Sequence, residues 1–305
     1  MPIAWSLHRQ DCLPSLGWPD VSDDSVATPL ASFEAKWAAL HPEFGLALKF
    51  VPQQRRVEQS AFACLVYELE HTAFGIREAQ PAAIKLQWWA EEFARAGRRE
   101  ARHPLTRALA EHPDFADVPL ARWHAVIVGA LAQRDTEPAA DCSALLESYA
   151  VLYAPLAAIE AALFVPIDVA ALTRVRSLAR AIRETASLAE ALRDGRLPLP
   201  LDVLAKYRMA RGNLSQSSPE QAAMLRGWLL TLASDYGNSF NGARLGALNA
   251  AGASADRWRA GEAARAAEPL SKLQALTSRL PLRAVWAAWR SGRDAVIEDN
   301  APRPH

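Results

Sequence analysis

The sequence has none of the residue spacings that mark a dedicated metal, nucleotide or nucleophile site. It holds no H-E-x-x-H, no Cys/His cluster and no EF-hand loop, which argues against a zinc or calcium centre. It also lacks G-x-G-x-x-G and G-x-x-x-x-G-K-[ST], so no loop is built to cradle phosphate through its backbone. The nearest approach to a nucleophile elbow, Gly237-Asn238-Ser239-Phe240-Asn241, lacks the second glycine and a preceding strand. His71, His103 and His124 are scattered, and His103 before Pro104 reads as a helix entry. Cysteine is scarce: Cys12, Cys64 and Cys142 lie far apart without a C-x-x-C pair, as expected of free buried thiols in a reducing compartment. Charge of either sign is not in excess, since 34 Lys and Arg face 34 Asp and Glu, so no global field draws in nucleic acid. The basic pair at 98 and 99 reads as a solvated helix end, and no nucleic-acid partner is expected. Clean apolar runs are missing as well. The most apolar stretch, Tyr149 to Ile167, is interrupted by Pro155, Glu160 and Pro166 and falls short of the ~20 residues a spanning helix needs. The first twenty residues have no basic start leading into an apolar core, so no secretory signal is read and a cytoplasmic protein is expected.

β-Branched runs are nearly absent too, and from Ser32 onward alanine and leucine recur at helical spacing between charged residues. The fold class expected is all-α, in one domain. Residues 1–30, with Pro14, Pro19 and Pro29, read as an irregular arm, 31–296 as the helical domain and 297–305 as a flexible tail. Helices are expected at 32–40, 53–77, 81–97, 104–111, 119–134, 141–163, 168–194, 201–208, 218–235, 240–250, 255–264, 268–279 and 281–296. In the helix from Pro81 to Gly97, Ile84, Trp88 and Phe93 are expected to form the buried stripe while Glu91 and Glu92 face water. Trp88 and Trp89 are read as core anchors. Gly242 and Gly246 are read as one turn apart on a helix, allowing another helix to approach closely. No repeat of 20 to 50 residues is visible, which excludes a solenoid.

The segment Arg174–Tyr207, RVRSLARAIRETASLAEALRDGRLPLPLDVLAKY, stands out as a long helix stopped at Gly195, a Pro-punctuated loop and a new helix near Asp202. Upstream, Phe44–Leu109 contains YELEHTAF, the Trp-Trp helix QWWAEEFARAG and the entry RHPLTRAL. Together with DGRLPLPLDVLAKY, these stretches resemble the squalene and phytoene synthase family over roughly residues 32–235. The resemblance implies helices around a central apolar cavity, with two aspartate-rich motifs on facing helices. In active members those aspartates hold Mg²⁺, which grips the diphosphates of two prenyl diphosphates. Bridging Mg²⁺ neutralises a dense anion as its carbon–oxygen bond breaks, and carboxylates one helical turn apart can share such ions.

The chain departs from that pattern at the positions that matter. The first D-x-x-x-D pair falls on Glu70 and Phe74, and the second, counted back from Gly195, on Ser187 and Ala191, with Glu190 the nearest acid. Arg174, Arg176, Arg180 and Arg183 lie on the same helix. Arg180 and Arg183 share a face with Ser187 and Ala191, and a cationic face repels Mg²⁺. The expected function is therefore a degenerate family member, a pseudoenzyme keeping the isoprenoid synthase fold for binding or assembly. The family has a precedent in a mitochondrial respiratory-complex assembly factor. The partner expected is an isoprenoid or other apolar ligand, or a protein, with peripheral contact at the inner face of the membrane. The alternative is an active Mg²⁺-dependent prenyl transferase of isoprenoid biosynthesis, its metals held by Glu68, Glu70, Glu190 and Asp194. Mg²⁺ is expected only in that case; otherwise no cofactor is. A third reading has Arg180 and Arg183 meet Glu70 across the cavity, replacing a metal bridge by ion pairs. Arg180, Arg183, Glu190, Arg196 and Tyr207 are the residues expected to line the cavity or bind an anion there.

Overall fold

The computed structural model describes residues 29–134, 137–164, 166–240 and 242–299. The expected arm and tail, and Cys12, lie almost wholly outside the described residues. The helices are α1 (Pro29–Leu40), α2 (Phe44–Ala47), α3 (Arg56–Glu70), α4 (Ala79–Gly97), α5 (Pro104–Ala110), α6 (Leu120–Ala132) and α7 (Cys142–Leu163). They continue with α8 (Val169–Ala186), α9 (Leu188–Arg193), α10 (Leu201–Lys206), α11 (Pro219–Phe240), α12 (Gly246–Arg265), α13 (Pro269–Leu276) and α14 (Leu282–Asp299). No strand occurs among the described residues, so the fold is all-α, as the spacing of alanine and leucine implies.

Local chemistry sets several of these boundaries. Asp141 and Asp168 cap α7 and α8, each carboxylate accepting a backbone N–H three residues on at 2.9 Å. At the start of α5, Pro104 occupies the first turn and the His103 ring nitrogen accepts from the Leu105 N–H at 3.2 Å. α7 runs through the centre between α6 and α8. Leu152, Tyr153 and Leu156 are fully buried there, beside Leu65 and Leu69 of α3, Leu178 of α8 and Trp228 of α11. By length and composition α7 is apolar enough to cross a membrane. Its buried face belongs to the core, and its buried Glu160 is engaged by Arg176.

Four expectations change. The stretch expected as two helices, 240–250 and 255–264, is one continuous α12. Gly242 in the link before it and Gly246 at its first position take φ of +78° and +72°, so they make a turn that L-residues resist rather than a helix contact. Close approach is supplied elsewhere: a Cβ on Gly129 of α6 would stand 2.5 Å from the Val151 carbonyl oxygen of α7. In α4 the buried stripe is Ala82, Leu86, Trp89, Phe93 and Ala96, while Ile84 and Trp88 are exposed. Glu92 is fully buried, because its carboxylate accepts from the Arg102 and His103 N–H groups and the Thr106 hydroxyl at 2.6–2.8 Å. Finally, the helix expected over 168–194 breaks at Ser187, where φ −97° and ψ 25° separate α8 from α9.

Candidate functional site

α3 does not end cleanly. It passes into a π-type turn, His71–Gly75, which swings Phe74 and Gly75 toward the C-terminal half of α8. Between these elements, α9 and the segment Leu273–Thr277, lies a cavity of about 530 Å³. A deeper chamber of about 120 Å³ lies between α3, α8 and α12, and both spaces are bounded by His41, Tyr67, Glu70, Arg183 and Asp256. Phe62 and Val66 of α3, with Val175 and Ala179 of α8, narrow the inner chamber.

Every carboxylate bordering the larger space has a cation beside it. Glu70 accepts from the Tyr153 hydroxyl at 2.7 Å and from Arg183 at 2.9 Å. Burial pushes the Glu70 carboxyl up, but Arg183, Arg180 and Tyr153 outweigh it and hold it below the usual carboxylate value. Burial likewise opposes the Arg183 charge, and Glu70 and Tyr153 more than offset it, raising its pKa. Glu184 is buried between Arg180, one helical turn before it, and Arg196, which reaches it at 2.5 Å from the loop after Gly195. Burial lowers Arg180 to about 10, which still leaves it charged at neutral pH. Its guanidinium lies 3.7 Å from the Phe74 ring centroid, and Tyr149 meets the same ring edge-on at 6.1 Å. On the far wall, Arg259 bridges Glu43 at 2.8 Å and Asp256 at 2.9 Å. That arrangement pulls Glu43 down to about 2 through His41 and Arg259, against its burial. At the rim Asp194 accepts from Arg77 at 2.6 Å, and Glu190 is 64% exposed beside Arg193.

The structure thus sorts the residues singled out in the sequence. Glu70, Phe74, Arg180, Arg183, Ser187 and Arg196 converge on one cavity, with Glu190 and Asp194 at its edge. Arg183 meets Glu70 directly, whereas Arg180 turns to Glu184 and the Phe74 ring. Ala191 is not on the face of Arg180 and Arg183. The break at Ser187 rotates α9, and Ala191 is buried with no part in the cavity lining. Tyr207 is not part of the lining either; its hydroxyl packs against Gly227 of α11. Glu68 points away from Glu70, as residues two apart on a helix must, and binds Lys36 at 2.7 Å and Lys85 at 3.0 Å. The sequence reading missed Glu184, Tyr153 and the Glu43–Arg259–Asp256 cluster. Glu184 was within reach, because Arg180 and Glu184 stand at i, i+4 on one helix face. Tyr153 and Glu43 meet the site only through the tertiary fold.

Two solved structures are similar to this chain. One is described as a dehydrosqualene synthase in complex with ligand, with TM-score 0.62 and 14% identity over 88% of this chain and 97% of that one. The other is described as squalene synthase HpnC from Alicyclobacillus acidocaldarius, with TM-score 0.52 and 14% identity over 88% of this chain and 95% of that one. At such identity the likeness is one of fold. No curated protein matches the chain. Residues 41–290 match the family model described as squalene/phytoene synthase, so the likeness runs beyond residue 235 and takes in α12, α13 and much of α14. The chain belongs to the squalene/phytoene synthase family.

Proposed function

We propose that this family member has given up metal-dependent prenyl transfer and uses the retained helical shell as a binding or assembly module. The observation that carries this reading is the pairing of the inward-facing cavity carboxylates with arginine: Glu70 with Arg183, Glu184 with Arg180 and Arg196, and Asp256 with Arg259. The donor set does not suit bridging Mg²⁺. That ion needs several oxygen ligands in near-octahedral geometry, whereas the first motif offers one arginine-bound carboxylate and a ring, and the second a serine and an alanine. Among the described residues no three acidic, histidine or cysteine side chains cluster as a metal site would require. The set Glu68, Glu70, Glu190 and Asp194 is dispersed over three surroundings.

The cavity keeps a shape that a ligand could use. Its volume of about 530 Å³ falls within the ~300–1,000 Å³ common for small-molecule sites, and Leu40, Phe74, Ile182 and Leu273 give it an apolar side. The inner chamber of about 120 Å³ is below that range, which favours a compact apolar ligand with an anionic end over two long prenyl chains. The test is incubation of purified protein with Mg²⁺ and farnesyl or geranylgeranyl diphosphate, following release of inorganic diphosphate. No turnover above a heat-inactivated control is expected. Robust release abolished by EDTA would establish the transferase reading instead.

A further inference from the structure

α14 presents its small residues inward and its large ones outward. Ala284 and Ala288 are buried against Ala247, Ala251 and Ala255 of α12, and Gly292 passes so near Phe50 that a Cβ there would meet its carbonyl oxygen at 2.5 Å. On the opposite side Leu282 is 87% exposed, Trp286 58% and Trp289 41%. Positions 282, 286, 289 and 293 follow at four, three and four residues, the spacing of one helical stripe. Arg290 stands over the Trp286 ring at 5.6 Å and Arg293 over Trp289 at 5.0 Å.

The first three turns of α14 and the segment before it are basic. From Pro269 to Arg293 the chain carries Lys272, Arg279, Arg283, Arg290 and Arg293 and no acidic residue, whereas Asp294, Glu298 and Asp299 follow at the end of α14, away from Leu282 and Trp286 in sequence. A core role for the two tryptophans is excluded by their exposure. A helix with indole rings and a leucine on one face, flanked by arginines, has the chemistry of the boundary between lipid headgroups and acyl chains. There the amphipathic ring lies at headgroup depth, and each cation near an anionic surface adds about 1 kcal/mol. We infer that the outer face of α14 docks the protein on an anionic lipid bilayer, with Leu282, Trp286 and Trp289 entering the interface and Arg283, Arg290 and Arg293 meeting lipid headgroups. The same segment adjoins the cavity: Thr277 lines it, and the Arg279 carbonyl accepts from Arg259 on the cavity wall at 3.2 Å. The link leading into α14 thus runs along the cavity wall. The inference holds whether or not the cavity is catalytic.

The test is vesicle flotation of the full chain with phosphatidylcholine alone and with an equal mixture of phosphatidylcholine and phosphatidylglycerol. Binding to the mixed vesicles, weakened by added salt, is expected, with little on the neutral ones. Arg290→Gln with Arg293→Gln should weaken binding about thirtyfold, the factor for two charges of about 1 kcal/mol each. Trp286→Ala with Trp289→Ala should abolish flotation while circular dichroism and the melting temperature stay at wild-type values, because both rings are solvent-exposed. Absence of wild-type flotation, or variants that bind like wild type, overturns the inference. So does a wild-type dimer in light scattering that the tryptophan variant converts to monomer, since the face would then belong to a second copy of the chain.

Discussion

At the scale of single residues, the contrast lies in what stands beside Glu70. A carboxylate meant to share metal ions needs lone pairs free to face the cavity and no cation beside it; here the Arg183 guanidinium and the Tyr153 hydroxyl both bind Oε1, and the guanidinium brings its positive charge to where a metal ion would sit. Removing the acid leaves a cation and a hydroxyl without their partner. Glu70→Ala is expected to cost about 2–4 kcal/mol in urea unfolding, somewhat less than the ~3–5 of a fully buried pair, since the Arg183 side chain is 31% exposed. The pH dependence has a definite sign. Because the folded-state value of Glu70 is depressed, its contribution is complete above the unfolded value of about 4.3 and is lost as pH falls through the folded value. The gap between wild type and Glu70→Ala should therefore be wide at neutral pH and close in acid. An equal gap at both would assign the cost to lost packing instead.

At the scale of helices, two devices shape the site. The π-type turn after α3 turns Phe74 toward Arg180, and the break at Ser187 removes Ala191 from the cavity. The central helices also pack closely. At Gly129, between α6 and α7, a methyl group would meet main-chain atoms of Val151 and Leu152 rather than a side chain able to move. Gly129→Ala is expected to destabilise the fold by about 1–3 kcal/mol, the usual range for overpacking, despite alanine's better helix propensity. Calorimetry checks this, and a rise in melting temperature would show that α6 and α7 can separate at little cost.

At the scale of the whole molecule, the ion pairs around the cavity form a set that is complete without an added cation. A ligand that binds only the folded state raises its stability in proportion to ln(1 + [L]/Kd). Millimolar Mg²⁺ is therefore expected to leave the melting temperature unchanged, as is EDTA. A clear upward shift with Mg²⁺ but not with Na⁺ at matched ionic strength would reveal a metal site that the arginines do not block. Family membership and fold do not decide this, since one helical shell can carry different sites.

Much was legible before any coordinates. Alanine and leucine at helical spacing, with proline and aspartate at the helix starts, determined an all-α fold, and the motif order around Glu70 and Gly195 pointed to the family. The same counting showed Phe74, Ser187 and Ala191 where paired carboxylates would stand. Periodicity could not say which of two adjacent residues faces inward on α4, because a buried carboxylate such as Glu92 becomes stable only when the start of α5 supplies its donors. Nor could it show that α8 stops at Ser187, a break that leaves no proline or glycine as a signal. Tyr153, Arg183 and Glu70 are distant in sequence and are joined only by packing. The sequence by itself determined which chemical groups the site lacks. Only the tertiary structure decided that arginines hold the acids that remain, because an ion pair depends on distances across the fold and not on order along the chain.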